Sequence, residues 1–326
     1  MKKRALICGV SGQDGAYLAR LLVDKGYDVF GTSRNVASAD LSRLAAVGLD
    51  DEVTLCSATL SDFRSILTTL AEIRPNEVYN LSGQSSVGLS FGQPVETIES
   101  ITVSTINMIE AIRFLDPTIR FYNAGSSECF GDTVRTAATE LTPFQPRSPY
   151  GVAKCAAHWI VRNYREAYGV FACNGILFNH ESPLRPRQFV TRKIVDGACA
   201  IKQGKLDRLS LGNLDIMRDW GWAPEYVVAM WAMLQTETPE DYVIATGTAC
   251  SLADFVARTF AVLDLDWRDH VDIDRAIFRP LDISYNCGDA TKAFEELGWR
   301  AEVVMPEVVD RMVAESLANS SLSFVV

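Results

Sequence analysis

Histidine is scarce in this 326-residue chain, with three in all, and none stands at a spacing that lets it share a metal ion with a neighbouring ligand. The eight cysteines, at 8, 56, 129, 155, 173, 199, 250 and 287, include no Cys-x-x-Cys pair, so neither a zinc site nor a dithiol redox motif is expected. Positive charge is also short. Lys and Arg number 31 against 41 Asp and Glu, and the net charge of −10 argues against a nucleic-acid or anionic-membrane partner. No run approaches 18 apolar residues and no secretory leader is evident, so the expected setting is a reducing cytoplasm. There, free thiols in strands and helices behave as small hydrophobes. Internal repeats, low-complexity tracts and an obvious linker are absent too. What remains, 48% hydrophobic and 22% charged, suits a globular protein of one large or two modest domains.

Through the first half, strand patterns at 4–9, 27–33, 53–58, 77–82 and 119–125 alternate with helical patterns near 15–26, 37–47, 61–74 and 95–115. That rhythm implies βαβ units and an α/β fold, a Rossmann-type doubly wound parallel sheet. The organisation loosens after residue 180, which points to a smaller mixed C-terminal lobe. The expected division is therefore 1–180, with some returning segments added, and 181–326. Ile98, Ile101, Thr105, Met108, Ile109 and Ile112 fall along one side of the helix expected at 97–115. Ala157, Ile160, Val161, Tyr164 and Tyr168 do the same on the helix after Tyr150. Both stripes face the sheet in part, and further apolar residues on their outer sides make a two-fold helix–helix dimer plausible.

The first strand runs into Gly9-Val10-Ser11-Gly12-Gln13-Asp14-Gly15 and then a helix. Glycines at 9, 12 and 15 allow a tight turn, close approach to a pyrophosphate and close helix–strand packing. The helix start then offers N–H groups to phosphate. Ser11, Gln13 and Asp14 belong to the same expected cofactor site. After the second strand comes Arg34, where an acidic residue would bind ribose hydroxyls and an arginine favours a 2′-phosphate, hence NADP over NAD. Thr59 and Leu60, after the third strand, would flank the adenine. Leu81-Ser82-Gly83-Gln84-Ser85, after the fourth, would let a dinucleotide lie across the strand ends.

Ser148-Pro149-Tyr150-Gly151-Val152-Ala153-Lys154 carries the reactive pair. Tyr150 and Lys154 stand four apart and share a helix face. The ammonium is expected to lower the phenol pKa from its usual ~10, so that Tyr150 can take a proton from a sugar alcohol as hydride leaves its carbon. Tyr-x-x-x-Lys by itself would fit any amphipathic helix; beside the glycine turn it reads as catalytic. Ser126, at the end of the fifth strand, would hydrogen-bond the reacting hydroxyl. Glu128 sharpens the reading, because hydride transfer needs no carboxylate there and proton removal next to a ketone does.

These motifs resemble the GDP-mannose 4,6-dehydratases, of the extended short-chain dehydrogenase/reductase kind, over nearly the whole chain. The resemblance rests on the glycine turn, Phe144-Gln145-Pro146-Arg147-Ser148-Pro149-Tyr150 and 174–183 (Asn-Gly-Ile-Leu-Phe-Asn-His-Glu-Ser-Pro). It continues in Phe189-Val190-Thr191-Arg192-Lys193, Arg218-Asp219-Trp220-Gly221, Phe278-Arg279-Pro280, Asp289-Ala290-Thr291-Lys292-Ala293 and Leu297-Gly298-Trp299. It implies an internal redox cycle on NADP that converts a GDP-sugar to its 4-keto-6-deoxy form, with Ser126, Glu128, Tyr150 and Lys154 catalytic. It also implies that Lys154, His180 and Arg185 touch the cofactor, and that Asn179, Lys193, Arg218 and Arg279 hold the nucleotide sugar. Arginine forks suit diphosphate oxygens. A homodimer or homotetramer is implied as well.

The chain departs from the family pattern in places. Ser126 stands where threonine is usual, Cys8 for threonine, Thr59 for aspartate and Glu96 for tyrosine. A pair of arginines is reduced to Arg34-Asn35. Alternatives within enzymes are a GDP-4-keto-6-deoxymannose reductase or a dehydratase of a related GDP-sugar such as a heptose. From another class, a non-catalytic dinucleotide sensor would share the fold.

Overall fold

The computed structural model describes residues 2–49 and 51–322. The first strand, Arg4–Cys8 (β1), buries its last four residues, as a strand covered on both faces must. Helix Gln13–Asp24 (α1) leads to Asp28–Ser33 (β2), the short helix Ser42–Ala46 (α2), Val53–Ser57 (β3), helix Phe63–Ile73 (α3) and Glu77–Asn80 (β4). Two short helices, Val87–Gly92 (α4) and Pro94–Ile98 (α5), precede Ser104–Leu115 (α6) and Arg120–Ala124 (β5). Helix Pro149–Tyr168 (α7) then returns the chain to Ala172–Leu177 (β6).

The second half is less regular. It runs Asn179–Glu181 (β7), helix Val190–Lys202 (α8), Leu209–Leu211 (β8), Met217–Trp222 (β9), helix Ala223–Met233 (α9) and Tyr242–Ile244 (β10). There follow Ala249–Ser251 (β11), helix Leu252–Val262 (α10), Val271–Ile273 (β12), Tyr285–Asn286 (β13), and helices Thr291–Leu297 (α11) and Met305–Leu322 (α12). The main sheet has the order β10-β6-β5-β4-β1-β2-β3, and every pairing in it is parallel. The order reverses between β1 and β4, the switch point where such sheets open a crevice at their carboxyl ends. A smaller sheet joins β7, β9, β11 and β13.

One apolar core lies between the sheet and α1 with α9, and includes Leu18, Leu22, Tyr122, Met230 and Tyr242. A second fills the other face under α3, α6 and α7, around Leu6, Leu70, Ile109, Phe121 and Val161. A third belongs to the smaller lobe, where α8, α10 and α12 close on Trp220. The lobe is tied back to the main sheet by Asp219 of β9, which accepts from Thr246 N (3.0 Å), Thr246 Oγ1 (2.7 Å) and Gly247 N (2.9 Å).

The helix expected over 95–115 is present without a break but is not regular throughout. Between α5 and α6 the turn Glu99–Val103 is widened, with the Ser104 N–H reaching back five residues to Glu99 O. Such π-turns insert one residue into a helix and re-aim its side chains. Here Ile101 is turned onto Tyr150, Ala153 and Ala157, and Ile98 leaves the buried stripe and is 41% exposed. The rest of the stripe, Thr105, Met108, Ile109 and Ile112, is buried as expected. On α7, Ala157 and Val161 are buried, whereas Tyr168 at its end is exposed.

Candidate active site

Ser148 caps α7, its Oγ accepting from Gly151 N at 3.0 Å, and Pro149 occupies the first turn, where no N–H is missed. Gly151 is required by what faces it, since a Cβ there would stand 2.9 Å from Glu128 O. That close approach brings the strand end of β5 against the helix. Ser126 and the turn Ser127–Cys129 follow β5, with Ser126 Oγ accepting from Glu128 N at 3.2 Å. Tyr150 and Lys154 are both buried. Lys154 Nζ donates to Ala124 O at 2.7 Å and lies 5.8 Å from the centre of the Tyr150 ring.

The electrostatics correct one expectation. Burial pushes the Tyr150 phenol above its ordinary value of 10, against a counter-pull from its bond with Ser126. Lys154 does not bring it down. Burial instead lowers Lys154 itself to about 8, because desolvation of a cation outweighs its attraction to Cys129 and Asp14. Glu128 is half-buried, and burial raises its carboxyl above the usual value, opposed by the positive charges of Arg218 and Arg279.

Opposite the helix stands a wall from the smaller lobe. Arg218, in β9, donates to Met217 O (2.9 Å) and Ile283 O (2.7 Å), and its other arm reaches Asp282 Oδ1 at 3.3 Å. Arg279 Nη1 is 3.7 Å from the same carboxylate. Lys193 Nζ donates to Ser210 O at 2.7 Å. Together with Asn179 these residues line one cavity of about 410 Å³. Ser126, Glu128, Tyr150, Lys154, Asp14, Leu81, Ser85, His180 and Arg185 line it too. The carboxylate and the phenol thus open onto the same space. Sequence reasoning missed Asp282, Asn213 and Gln188, which also line it, and gave no site role to Trp220 and Phe278 although both stand in the quoted motifs. Asp282 stands three residues after Arg279, an acid–base spacing that could have flagged it; Asn213 and Gln188 carry no local signal.

Of the other expected cofactor residues, the glycine turn 9–15 and residues 82–84 gather at the switch point. Gly9 has φ +89°, and a Cβ on it would stand 3.1 Å from the carbonyl of Leu81. A Cβ at Gly15 would collide with Gly9 O and stand 2.7 Å from Val10 Cα. Gly12 caps α1 without a side-chain hydrogen bond, so the helix start remains open to a phosphate. The cradle therefore fits a dinucleotide pyrophosphate. Gln13 Nε2 donates to His180 O (3.2 Å), and Ser182 Oγ donates to Gln13 Oε1 (2.8 Å). His180 places Nδ1 2.7 Å from Phe178 O and Nε2 2.8 Å from Asp14 Oδ2. Acceptors at both nitrogens favour the charged ring. Burial opposes that charge, but Asp14 outweighs it and raises the His180 pKa.

Arg185 Nε is 3.2 Å from Glu181, and its guanidinium stacks 3.8 Å over Phe189. Gln84 closes the turn after β4 by bonding Ser86 and Thr97, while Gly83, φ +115°, packs against Ile101. Ser82 and Ser11 are half-buried beside the first glycine. Arg34 is exposed at the end of β2, and Thr59 and Leu60 follow β3; none of the three lines the cavity. Among the described residues no group of acidic, histidine or cysteine side chains is placed to hold a metal ion.

A doubly wound sheet with this glycine cradle, and a Ser–Tyr–Lys set beside it, defines an extended short-chain dehydrogenase/reductase. Comparison with known proteins narrows the class. Residues 6–312 match the family model of GDP-mannose 4,6 dehydratase. GDP-mannose 4,6 dehydratase 1 of Arabidopsis thaliana is 45% identical over 326 residues, covering 97% of this chain and 90% of that protein. The Homo sapiens GDP-mannose 4,6 dehydratase is 41% identical, covering 95% and 90%. Among solved structures, a dTDP-glucose 4,6-dehydratase of Streptomyces venezuelae with NAD bound superposes with TM-score 0.87 at 19% identity, covering 98% of each chain. The chain belongs to the GDP-mannose 4,6-dehydratase family.

Proposed function

We infer that this protein removes water from GDP-mannose to give GDP-4-keto-6-deoxymannose. The observation that carries the reading is Glu128 opening onto the same cavity as Ser126, Tyr150 and Lys154, within a chain of this family. A bound nicotinamide dinucleotide would supply the hydride acceptor for C4 and return the same hydride to C6, so that none is consumed. Tyr150, in its phenolate form, takes the C4 hydroxyl proton, and Ser126 hydrogen-bonds the same oxygen. Lys154 does not make the phenolate the resting form, and its place 5.8 Å from the ring centre, anchored on Ala124 O, suits it to hold the dinucleotide beside Tyr150. The resulting C4 ketone acidifies C5. Glu128 then removes the C5 proton and passes a proton to the departing C6 hydroxyl, which leaves as water, and the 5,6-double bond so formed takes hydride at C6 and a proton at C5. Its raised pKa suits a group that must accept a proton and pass it on near neutral pH.

Arg218, Arg279 and Lys193 bind the diphosphate, where forked guanidinium groups match phosphate oxygens, and Asn179 binds the sugar nucleotide beside them. The dinucleotide lies on residues 1–180, with Gly9–Gly15, Arg34, Thr59, Leu60 and Leu81–Ser85 along its length and Lys154, His180 and Arg185 near its reactive end. Residues 181–326 form most of the sugar-nucleotide side. The phosphorylated form, NADP, is favoured by Arg34, which carries no ion pair among the described residues. Exposed Val95, Ile98, Ile106, Phe114, Val152 and Trp159 on α5, α6 and α7 suit a dimer built by pairing these helices. Eight free cysteines suit a reducing cytoplasm.

The deciding experiment incubates the protein with GDP-mannose and a catalytic amount of NADP+. A product lighter by one water, with no net NADPH, is expected. Consumption of stoichiometric NADPH on a 4-keto substrate, with no loss of water from GDP-mannose, would make it a reductase instead.

A further inference from the structure

Beneath the catalytic helix the sheet contains a row of side-chain amides. Asn80 of β4, Asn123 of β5 and Asn174 of β6 are partners in the strand register, and all three are buried. Asn80 Nδ2 donates to Asn123 Oδ1 at 3.1 Å, and Asn123 Nδ2 to Asn174 Oδ1 at 3.0 Å. Asn174 Nδ2 then donates to Asp241 Oδ1 at 3.0 Å. Asp241 is itself buried and is held by both arms of Arg165, each at 2.8 Å. At the opposite end, Ser82 Oγ donates to Asn80 Oδ1 at 2.7 Å.

The direction of this row is set most strongly from the Asp241 end, where the nearer acceptor of Asn174 Nδ2 is the carboxylate at 3.0 Å and a second, His158 O, lies at 3.3 Å. An ionised carboxylate can only accept, so Asn174 must turn its amide nitrogen towards Asp241 and its oxygen towards Asn123. Asn123 must then turn the same way, and Asn80 after it. The oxygen of Asn80 is left facing Ser82, whose single proton is spent on it. Both lone pairs of the Ser82 oxygen remain for the crevice, and each donation along the row strengthens the next. Thr105 Oγ1, which donates to Ile101 O at 2.7 Å and lies 3.2 Å from Asn80 Nδ2, supports the same orientation of Asn80.

We propose that Asp241 is a positioning residue. Through Asn174, Asn123 and Asn80 it fixes Ser82 as a hydrogen-bond acceptor at the switch point, there to receive a hydroxyl or amide donor of the bound dinucleotide. The proposal rests on the dinucleotide reading above and extends it to residues four strands across. Ser82 follows β4 directly, and its Cα stands 3.2 Å from where a Cβ of Gly9 would be, so it borders the cradle. Asp241, Asn174 and Asn123 touch none of the cavity.

The test uses fluorescence titration with NADPH, without turnover. Ser82→Ala is expected to weaken binding about fivefold, the effect of one hydrogen bond. Asn123→Ala, which interrupts the row, is expected to weaken binding by a similar factor in the natural protein and to add nothing in the Ser82→Ala background. A full effect of Asn123→Ala in both backgrounds, or none in a folded variant, overturns the proposal. A second measurement leaves the core intact. Side-chain amide signals of Asn123 and Asn174 in the NMR spectrum should shift on saturation with NADPH, and this shift should vanish in Ser82→Ala. Unmoved signals in the natural protein overturn the proposal as well. Failure of the natural protein to bind either NADPH or NADH would instead remove the dinucleotide reading itself, which distinguishes the two.

Discussion

A base that takes a proton from carbon must be ionised when the substrate arrives and still hold the proton once it has it. Glu128 meets this through opposed influences, burial raising its pKa and Arg218 and Arg279 drawing it down. Glu128→Gln keeps the shape and removes the base. Formation of the 4-keto product, followed by mass analysis, is expected to fall by about 10²–10⁴, with NADPH affinity unchanged; retained turnover would strip Glu128 of its role. Lys154 permits a prediction about stability. Its folded pKa of about 8 is below the ordinary lysine value of 10.5, so between those values the unfolded chain binds a proton that the folded chain does not. Stability therefore rises with pH across that window, and the buried charge is most costly below it. Lys154→Met should raise unfolding stability at pH 7 by on the order of 3 kcal/mol, less the lost bond to Ala124, seen as a higher melting temperature, and flatten the rise between pH 8 and 10.5. An unchanged slope in thermal melts would show that Lys154 is not the group responsible. For Arg34, exchange to Ala should weaken NADPH more than NADH in parallel titrations; equal losses would mean that it does not read the extra phosphate.

Among the elements, those whose meaning is local were the ones legible beforehand. The glycine turn, the Tyr–Lys spacing and the strand-helix alternation each depend on a few neighbouring residues, and each stands within a few residues of its expected place. Gly15 shows how tight that turn is. Gly15→Ala drives a methyl into Gly9 O and Val10, and should cost about 1–3 kcal/mol in denaturant unfolding together with measurable NADPH binding; binding at natural strength would mean that the turn can relax. The widened turn at Glu99–Val103 had no such signature. It is set by what lies outside the helix, namely Gly83, Tyr150 and the Thr102 Oγ1 bond to Ala153 O at 3.1 Å. The rise in the Tyr150 pKa was also hidden, because spacing places a lysine near a tyrosine without saying how deeply both are buried. Asp282 and Trp220 reach the cavity from strands and loops brought there by the smaller lobe, whose packing has no period to read.

At the scale of the molecule, the outer faces of α6 and α7 keep large apolar groups in solvent, Phe114 at 69% and Trp159 at 53% exposure. Trp159→Glu together with Phe114→Glu should shift sedimentation towards the monomer, since charges opposed across a two-fold axis repel; an unaltered assembly would place the contact elsewhere.

The last strand of the main sheet, β10, has a consequence for how the chain is made. It comes from residues 242–244 and pairs with β6, some seventy positions earlier. A ribosome delivering about 5–20 residues per second therefore exposes the flank of β6 for several seconds before its neighbour emerges. During that interval the nascent sheet has an open margin of the kind that recruits stray strands. Synthesis halted just short of residue 242 would release a polypeptide that has its glycine cradle and its tyrosine, yet is prone to clump.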